Sequence, residues 1–480
     1  MVLFSLLMVL ICLNACSGAK TSDNVTVYVT TNDRAKDFVR SEIALGDKQA
    51  ASPSVITIDP SVRYQTMDGF GAAVTGSTCY NLMRMAPEDR TAFLKETFSD
   101  TEGMGYSYIR ISIGCSDFSL SEYTCCDTKG VENFALQSEE KEYVIPILKE
   151  ILAISPSIKI LGSPWTCPRW MKVDNLMDLR PFESWTSGQL NPAYYQDYAT
   201  YFVKWIQAME AEGIPIEAIT PQNEPLNRGN SASLFMGWEE QLSFVRDALG
   251  PKLKETGLKT KIYAFDHNYN YDNMLEQQGY PMKIYEDENA ASFLTGAAYH
   301  NYGGDREELN NVNGKFPDKE LIFTETSIGM WNDGRNLEKR LMEDMREVAL
   351  GTVNNWCKGV IVWNLMLDNE RGPWREGGCK TCYGAVDISR DDYKTMTYNS
   401  HYYIIGHLST VVKPGAVRIE SKGVAEKGLM YSAFENPDGT VAFVLLNEGT
   451  TEARLTVTDG KNCVDCVVPA KSVASYRWKK

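Results

Sequence analysis

Two short stretches of this 480-residue chain carry the side chains best suited to chemistry. In the first, Ile219–Pro225 (ITPQNEP), Asn223 and Glu224 follow the apolar run IPIEAI and stand between Pro221 and Pro225. Proline lacks a backbone donor and restricts the residue before it, so neither a β-ladder nor a helix continues through the segment. The pair is thereby held on a stiff connection just past a strand's end; a solvated loop glutamate is the plainer alternative. In the second stretch, LIFTETSIG, Glu325 closes the run Leu321-Ile322-Phe323. Placed on two strands of one barrel, the carboxyls face each other across its mouth. Carboxyl groups about 5 Å apart act as acid/base and nucleophile in retaining glycoside hydrolysis, whereas an inverting pair stands wider to admit water. The acid must keep its proton near neutral pH while the nucleophile stays charged. Burial beside a negative partner is therefore expected to raise one pKa and hydrogen bonds to lower the other. Asn223 is suited to bond the sugar 2-hydroxyl. Trp165 and Trp363 close two further apolar runs and offer flat faces to sugar C–H groups.

The elements that must hold these residues follow from the alternation of short apolar runs with longer amphipathic stretches between Met67 and about Ser409, the pattern of repeated βα units. Eight strand candidates occur in order: TMDGFGAA, YSYIRISI, IKILGSPW, IEAITPQNE, KIYAFDH, GAAYHNY, LIFTET and GVIVWNL. Helical stretches such as PEDRTAFLKETFS, PAYYQDYATYFVKWIQAMEAEG and NLEKRLMEDMREVALGTVNNWC lie between them. Eight such units over this length predict a (β/α)8 TIM barrel, whose sites lie at the C-terminal ends of the strands. There the candidates carry Arg110, Trp165, Glu224, His267, His300, Glu325 and Trp363. The tail changes to short strand-like segments with Asn, Asp, Gly and Pro turns, NPDG being a hairpin signal. NVTVYVTT and SVITIDP near the start are also strand-like. The expected organisation is a leader over 1–16, a linker over 17–23, N-terminal strands over 24–65, the barrel over 66–410 and C-terminal strands over 411–480. The two sets of outer strands are expected to form a side β-sandwich that hides their edges.

A formal net charge of -15 opposes nonspecific binding to nucleic acid or anionic lipid and suits a neutral substrate. The opening MVLFSLLMVLICLNACSGAK resembles a bacterial lipoprotein signal, with LNAC as lipobox and Cys16 as the lipidated residue, although no Lys or Arg precedes the apolar run. This predicts an extracytoplasmic protein, at the cell surface or in the periplasm, whose membrane contact is an N-terminal lipid anchor; a plain secretory signal or a membrane stub is the alternative. Ten further cysteines, including Cys125-Cys126, Cys379-Lys-Thr-Cys382 and Cys463-Val-Asp-Cys466, fit that compartment and favour local disulfides over zinc; spacing leaves their connectivity open, and Cys379 and Cys382 are expected to form one bridge or otherwise to stiffen their loop. His267 is a possible substrate contact, and His401 and His407 read as structural. With no phosphate loop, metal-ligand spacing or Ser-His-Asp pattern, no cofactor and no metal are expected.

The motifs GFGAAVTGS, YSYIRISIGCSDFS, GSPWTCPRWMK, TPQNEP, FTETSIG, VIVWNLMLDNERGP and YYIIGHLSTVVKPGAVRI, in that order, resemble glycoside hydrolase family 30, the glucosylceramidase-like family. The resemblance implies a retaining β-glycosidase with a side β-sandwich, Glu224 matching the acid/base, Glu325 the nucleophile and Asn223 the amide beside the acid. It further implies that Asp117, Trp165 and Trp363 line the glycone pocket, with Tyr302 near the nucleophile and His300 beside it. Asn301 stands where glucosylceramidase-like members often carry tryptophan, and the loop after Trp363 carries CxxC. Both features lean toward a β-1,6-glucanase acting on extracellular glucan. A glucosylceramidase, a xylanase and a noncatalytic carbohydrate-binding lipoprotein are the alternatives, the last disfavoured because both glutamates are present.

Overall fold

The computed structural model describes residues 24–46, 52–270, 274–423 and 428–480. The leader and its Cys16 lie outside the described residues. All eight strand candidates form one closed parallel barrel. Its strands are β1 (Gly69–Ala73), β2 (Tyr108–Ile113), β3 (Lys159–Pro164), β4 (Ala218–Ile219), β5 (Lys261–Asn268), β6 (Gly296–His300), β7 (Glu320–Glu325) and β8 (Cys357–Asn364). Each pairs with the next, and β8 returns to β1. Tyr108, Leu161, Ala218, Tyr263, Ala298, Ile322 and Ile361 fill the interior with one apolar cluster, so the barrel is a packed core that supports a site at its mouth. β1 lies close against β2: a Cβ on Gly71 would fall 2.0 Å from the Tyr108 carbonyl oxygen.

The three helical stretches named from sequence are helical. Pro87–Phe98 starts on proline, with Glu88 and Asp89 in the first turn complementing the helix dipole, and buries Phe93, Leu94 and Phe98. Tyr195–Ala211 ends just before Gly213, which adopts φ +82°. The segment 337–353 is continuous but widens into i→i+5 turns at Met345–Ala349.

The outer strands make one nine-stranded sheet that folds round a second core. Val25, Val27 and Val29 from the N-terminal side and Phe443, Leu455 and Val464 from the C-terminal side share that cluster. Asn24–Thr31 pairs antiparallel with Ser472–Lys479, joining the two ends of the chain as expected. NPDG turns the hairpin between Leu429–Glu435 and Thr440–Asn447, with Gly439 at φ +79° and its N–H on the Asn436 carbonyl. One edge strand, Val39–Ala44, was not foreseen: it is exposed almost throughout and carries the Arg40–Glu42 pair, so it shows no apolar alternation. Helix Ser400–Ser409 joins barrel to sandwich. His407, buried on it, bonds Ser475 through Nδ1 (2.8 Å) and Thr30 through Nε2 (2.9 Å), and His401 is buried beside Asp344; both are structural, as read.

The disulfide expectation is corrected. All ten described cysteines are thiols, nine of them buried. They behave as small core side chains with acceptors in reach, as when Cys126 Sγ meets the Gly130 carbonyl (3.3 Å) and Cys379 Sγ the Thr381 hydroxyl (3.5 Å). Cys463 and Cys466 stand on one sandwich strand, not on paired metal-binding knuckles. No described helix is long and apolar enough to cross a membrane.

Candidate active site

Glu224 sits five residues beyond β4, at φ +44°, a left-handed conformation that costs a glutamate free energy and that the surroundings must impose. Its N–H bonds the Asp266 carbonyl (2.9 Å), and its own carbonyl takes the Asn227 N–H. The prolines foreseen from the sequence thus accompany a backbone pinned from both sides. The Glu224 carboxyl accepts at Oε2 from Asn227 (2.8 Å) and Asn230 (2.9 Å), while Oε1 faces His300 Nδ1 at 3.3 Å. Glu325 ends β7. Its Oε1 accepts from the Tyr302 hydroxyl (2.9 Å) and its Oε2 from Arg110. Carboxylate oxygens of Glu224 and Glu325, together with a ring nitrogen of His300, lie within 4.8 Å of one another.

Beneath these groups lies a buried charge network. Arg110 on β2 bonds Glu325, Asp266 Oδ2 (2.8 Å) and the Asn223 amide oxygen (2.6 Å). Asp266 also accepts from Ser163 (2.7 Å), Thr220 (2.7 Å), Thr324 (2.6 Å) and His300 Nε2 (2.9 Å). Asn223 Oδ1 accepts from Arg110, and its Nδ2 is the donor that it can offer a sugar hydroxyl. Sequence reasoning placed Arg110 at a strand end, whereas it stands within β2, three residues before Ile113; it gave Arg110 no role and missed Asp266. A bulge in β5 between Phe265 and His267, with positive φ at Phe265 and Asp266, breaks the alternation and buries Asp266 and His267 together. The Asp-His pair at the end of KIYAFDH was the available signal.

Trp165 and Trp363 are corrected in part. They stack on each other (5.3 Å, 23°) under the Arg110 guanidinium and are only 1% and 3% exposed, so they form a buried floor more than open platforms. Phe118, Cys115 and Cys382 complete that apolar end. Asp117 stands on the loop between them and is pushed well above the usual carboxylate range by burial and by the neighbouring Cys379, Glu325 and Glu224. Tyr302 is 39% exposed and borders the open end with Trp331.

The charge pattern also differs from expectation. Burial pushes Glu224 up, but the His300 hydrogen bond, both neighbouring histidines and Asn227 outweigh it and hold the carboxyl at about 2. Burial raises Glu325 against the opposing charges of His300 and Arg110, and Glu224 and Asp266 add to the rise. The surroundings of Glu224 therefore favour its carboxylate form. The same surroundings favour the imidazolium of His300: burial disfavours its charge, yet Glu325 and the bonds to Asp266 and Glu224 lift it to about 9. His267 is held neutral by burial, at about 4. Arg110, which cannot accept a hydrogen bond, nonetheless gives Glu325 the donor set of an anion.

Known proteins resemble this chain along almost its whole length. It is 68% identical to a solved endo-β1,6-glucanase, with TM-score 0.94 over 95% of this chain and 99% of that one. An endo-1,6-β-D-glucanase of Neurospora crassa is 32% identical over 84% of this chain and 83% of its own length. The lysosomal acid glucosylceramidase of Mus musculus is 27% identical over 92% and 87%. Residues 67–412 match the glycosyl hydrolase family 30 TIM-barrel domain and residues 415–476 the family's beta sandwich domain, so the barrel, its strand-end glutamates and the flanking sheet have one explanation: the chain belongs to glycosyl hydrolase family 30.

Proposed function

We propose that this glycoside hydrolase is an endo-acting β-1,6-glucanase, with Glu325 as nucleophile and Glu224 as acid/base. The observation that carries the mechanism is the approach of the two carboxyls to within 4.8 Å, the spacing of a retaining pair and too close for an interposed water. Glu325 attacks the anomeric carbon while Glu224 protonates the departing oxygen; water, deprotonated by Glu224, then releases the glycosyl ester. Arg110 and Tyr302 orient the nucleophile, and Asn223, Asp117, His300, Trp165 and Trp363 shape the glycone end. The substrate reading is supported by the 68% identity to the endo-β1,6-glucanase and by the small Asn301 beside the open end. A panel of linkage-defined glucans and glucosylceramide with detergent controls tests it. Oligosaccharides released early from β-1,6-glucan, at a turnover above that of the lipid, are expected. Comparable or faster lipid hydrolysis, or glucose as sole product from the start, overturns it.

The lipobox supports an extracytoplasmic, Cys16-anchored protein. Labelling with a radioactive fatty acid is expected to mark the wild type and to miss Cys16→Ala; equal labelling removes the anchor.

A further inference from the structure

Neither established family membership nor the two-glutamate reading says where the leaving-group proton waits. Asp266, His300 and Glu224 form an unbroken buried chain, Oδ1 to Nε2 at 2.9 Å and Nδ1 to Oε1 at 3.3 Å. Asp266 is itself fixed by Arg110, Ser163, Thr220 and Thr324, so it holds the Nε2 proton and leaves Nδ1 as the exchanging nitrogen. The other oxygen of Glu224 is occupied by Asn227 and Asn230, which turns Oε1 toward the ring.

We propose that His300, held by Asp266, stores the proton in the resting enzyme and passes it through Glu224 to the leaving oxygen as Glu325 attacks. This rests on Glu224 being the acid/base. In the first step the Glu325–carbon bond forms and the bond from carbon to the departing oxygen breaks. The Nδ1 proton passes to the Glu224 carboxylate and on from it to that oxygen. Imidazolium and nucleophile carboxylate disappear together, leaving a neutral imidazole, an ester and a Glu224 carboxylate. The second step reverses the flow: water gives its oxygen to carbon and its proton through Glu224 to Nδ1, while Glu325 leaves as carboxylate.

The groups facing His300 support this coupling. They are Glu224 on the β4 loop, Asp266 and His267 from β5, Tyr302 on its own loop and Glu325 from β7; Thr324 of β7 and Arg110 of β2 stand behind, on Asp266, and Arg110 also on Glu325. After burial, the Glu325 charge is the strongest influence on the ring, and it favours the imidazolium. Esterification cancels that charge, so the ring gives up its proton when the leaving group needs it. Asp266 and His300 act through Glu224 and are positioning residues.

Nitrogen-15 NMR of the full chain tests the relay, since only four histidines contribute signals. Spectra are taken at pH 7 for free enzyme and for enzyme trapped with a 2-deoxy-2-fluoroglucosyl reagent, with mass spectrometry locating the label. The expected result is a ring protonated on both nitrogens when free and only on Nε2 when Glu325 carries the label. Identical protonation in the two states overturns the relay. A label on Glu224 instead overturns the role assignment, so the two failures are distinct. His300→Asn is expected to lose ~10²–10³-fold in kcat/KM on β-1,6-glucan but under tenfold on an aryl glucoside whose leaving group needs no proton. Equal losses on both substrates mean that the ring only supports structure and overturn the relay. If His300→Asn does not fold, the NMR comparison decides alone.

Discussion

Arg110 is the residue on which the site's charges converge. It lies fully buried, with Asp266 and Glu325 as ion-pair partners and Asn223 as a third acceptor. Replacing it by methionine leaves two carboxylates without their cation, a loss that typically costs ~3–5 kcal/mol for a broken buried pair. Urea unfolding of Arg110→Met is expected to show a destabilisation of that order, with loss of activity; a change under about 1 kcal/mol contradicts the network. Sequence alone marked Arg110 as a charged residue in an otherwise apolar strand run, though it stands within β2 and not at its end, and marked Glu224 and Glu325 through strand ends and prolines. It gave neither the partner Asp266 nor the downward shift of Glu224. The first depends on a bulge, and the second on which donors meet which oxygen in three dimensions.

At the scale of elements, the helix Ser400–Ser409 is locked to the sandwich by a histidine that cannot easily charge. Burial lowers His407 to about 3, and His401 on the same helix to about 4. Unfolding frees both rings to titrate near 6.5, so below that pH the unfolded chain binds protons that the fold excludes. Stability therefore falls as pH drops from 6.5 toward 4, by up to ~1.4 kcal/mol per pH unit for each such ring. His407→Gln keeps a donor and an acceptor near Ser475 and Thr30 but takes up no proton. Its stability between pH 4 and 6.5 is expected to be flatter than that of the wild type by about this slope; an unchanged slope contradicts the buried neutral ring. The eight barrel strands were legible because each is a short apolar run set between amphipathic stretches, most of them followed by polar or aromatic residues. Val39–Ala44 was not, because an exposed edge strand carries no such alternation. The thiols were misread because compartment favours disulfides, whereas pairing depends on contacts that spacing does not fix.

For the whole molecule, the N-terminal strands complete the sandwich from 400 and more residues away in sequence. Val25, Val27 and Val29 enter its core, and Asn24–Thr31 covers the edge of Ser472–Lys479. Removing 24–44 forfeits roughly 5 kcal/mol of apolar burial from those three valines and leaves Ser472–Lys479, still paired with Thr440–Asn447 on its other side, as an open edge. Such a truncation is expected to associate in size-exclusion chromatography and to melt at lower temperature; a monomer of unchanged melting temperature contradicts the closure. Fold and sandwich thus serve one end, the presentation of two carboxyls at the barrel mouth, and their roles are separable by one measurement. NMR of the product formed by Glu224→Ala from an activated β-glucoside in azide reads the geometry of attack on the trapped ester. Because Glu325 remains to form that ester and azide displaces it from the opposite face, the account predicts a β-glucosyl azide. An α-glucosyl azide from this variant would place the nucleophile at 224 and contradict it.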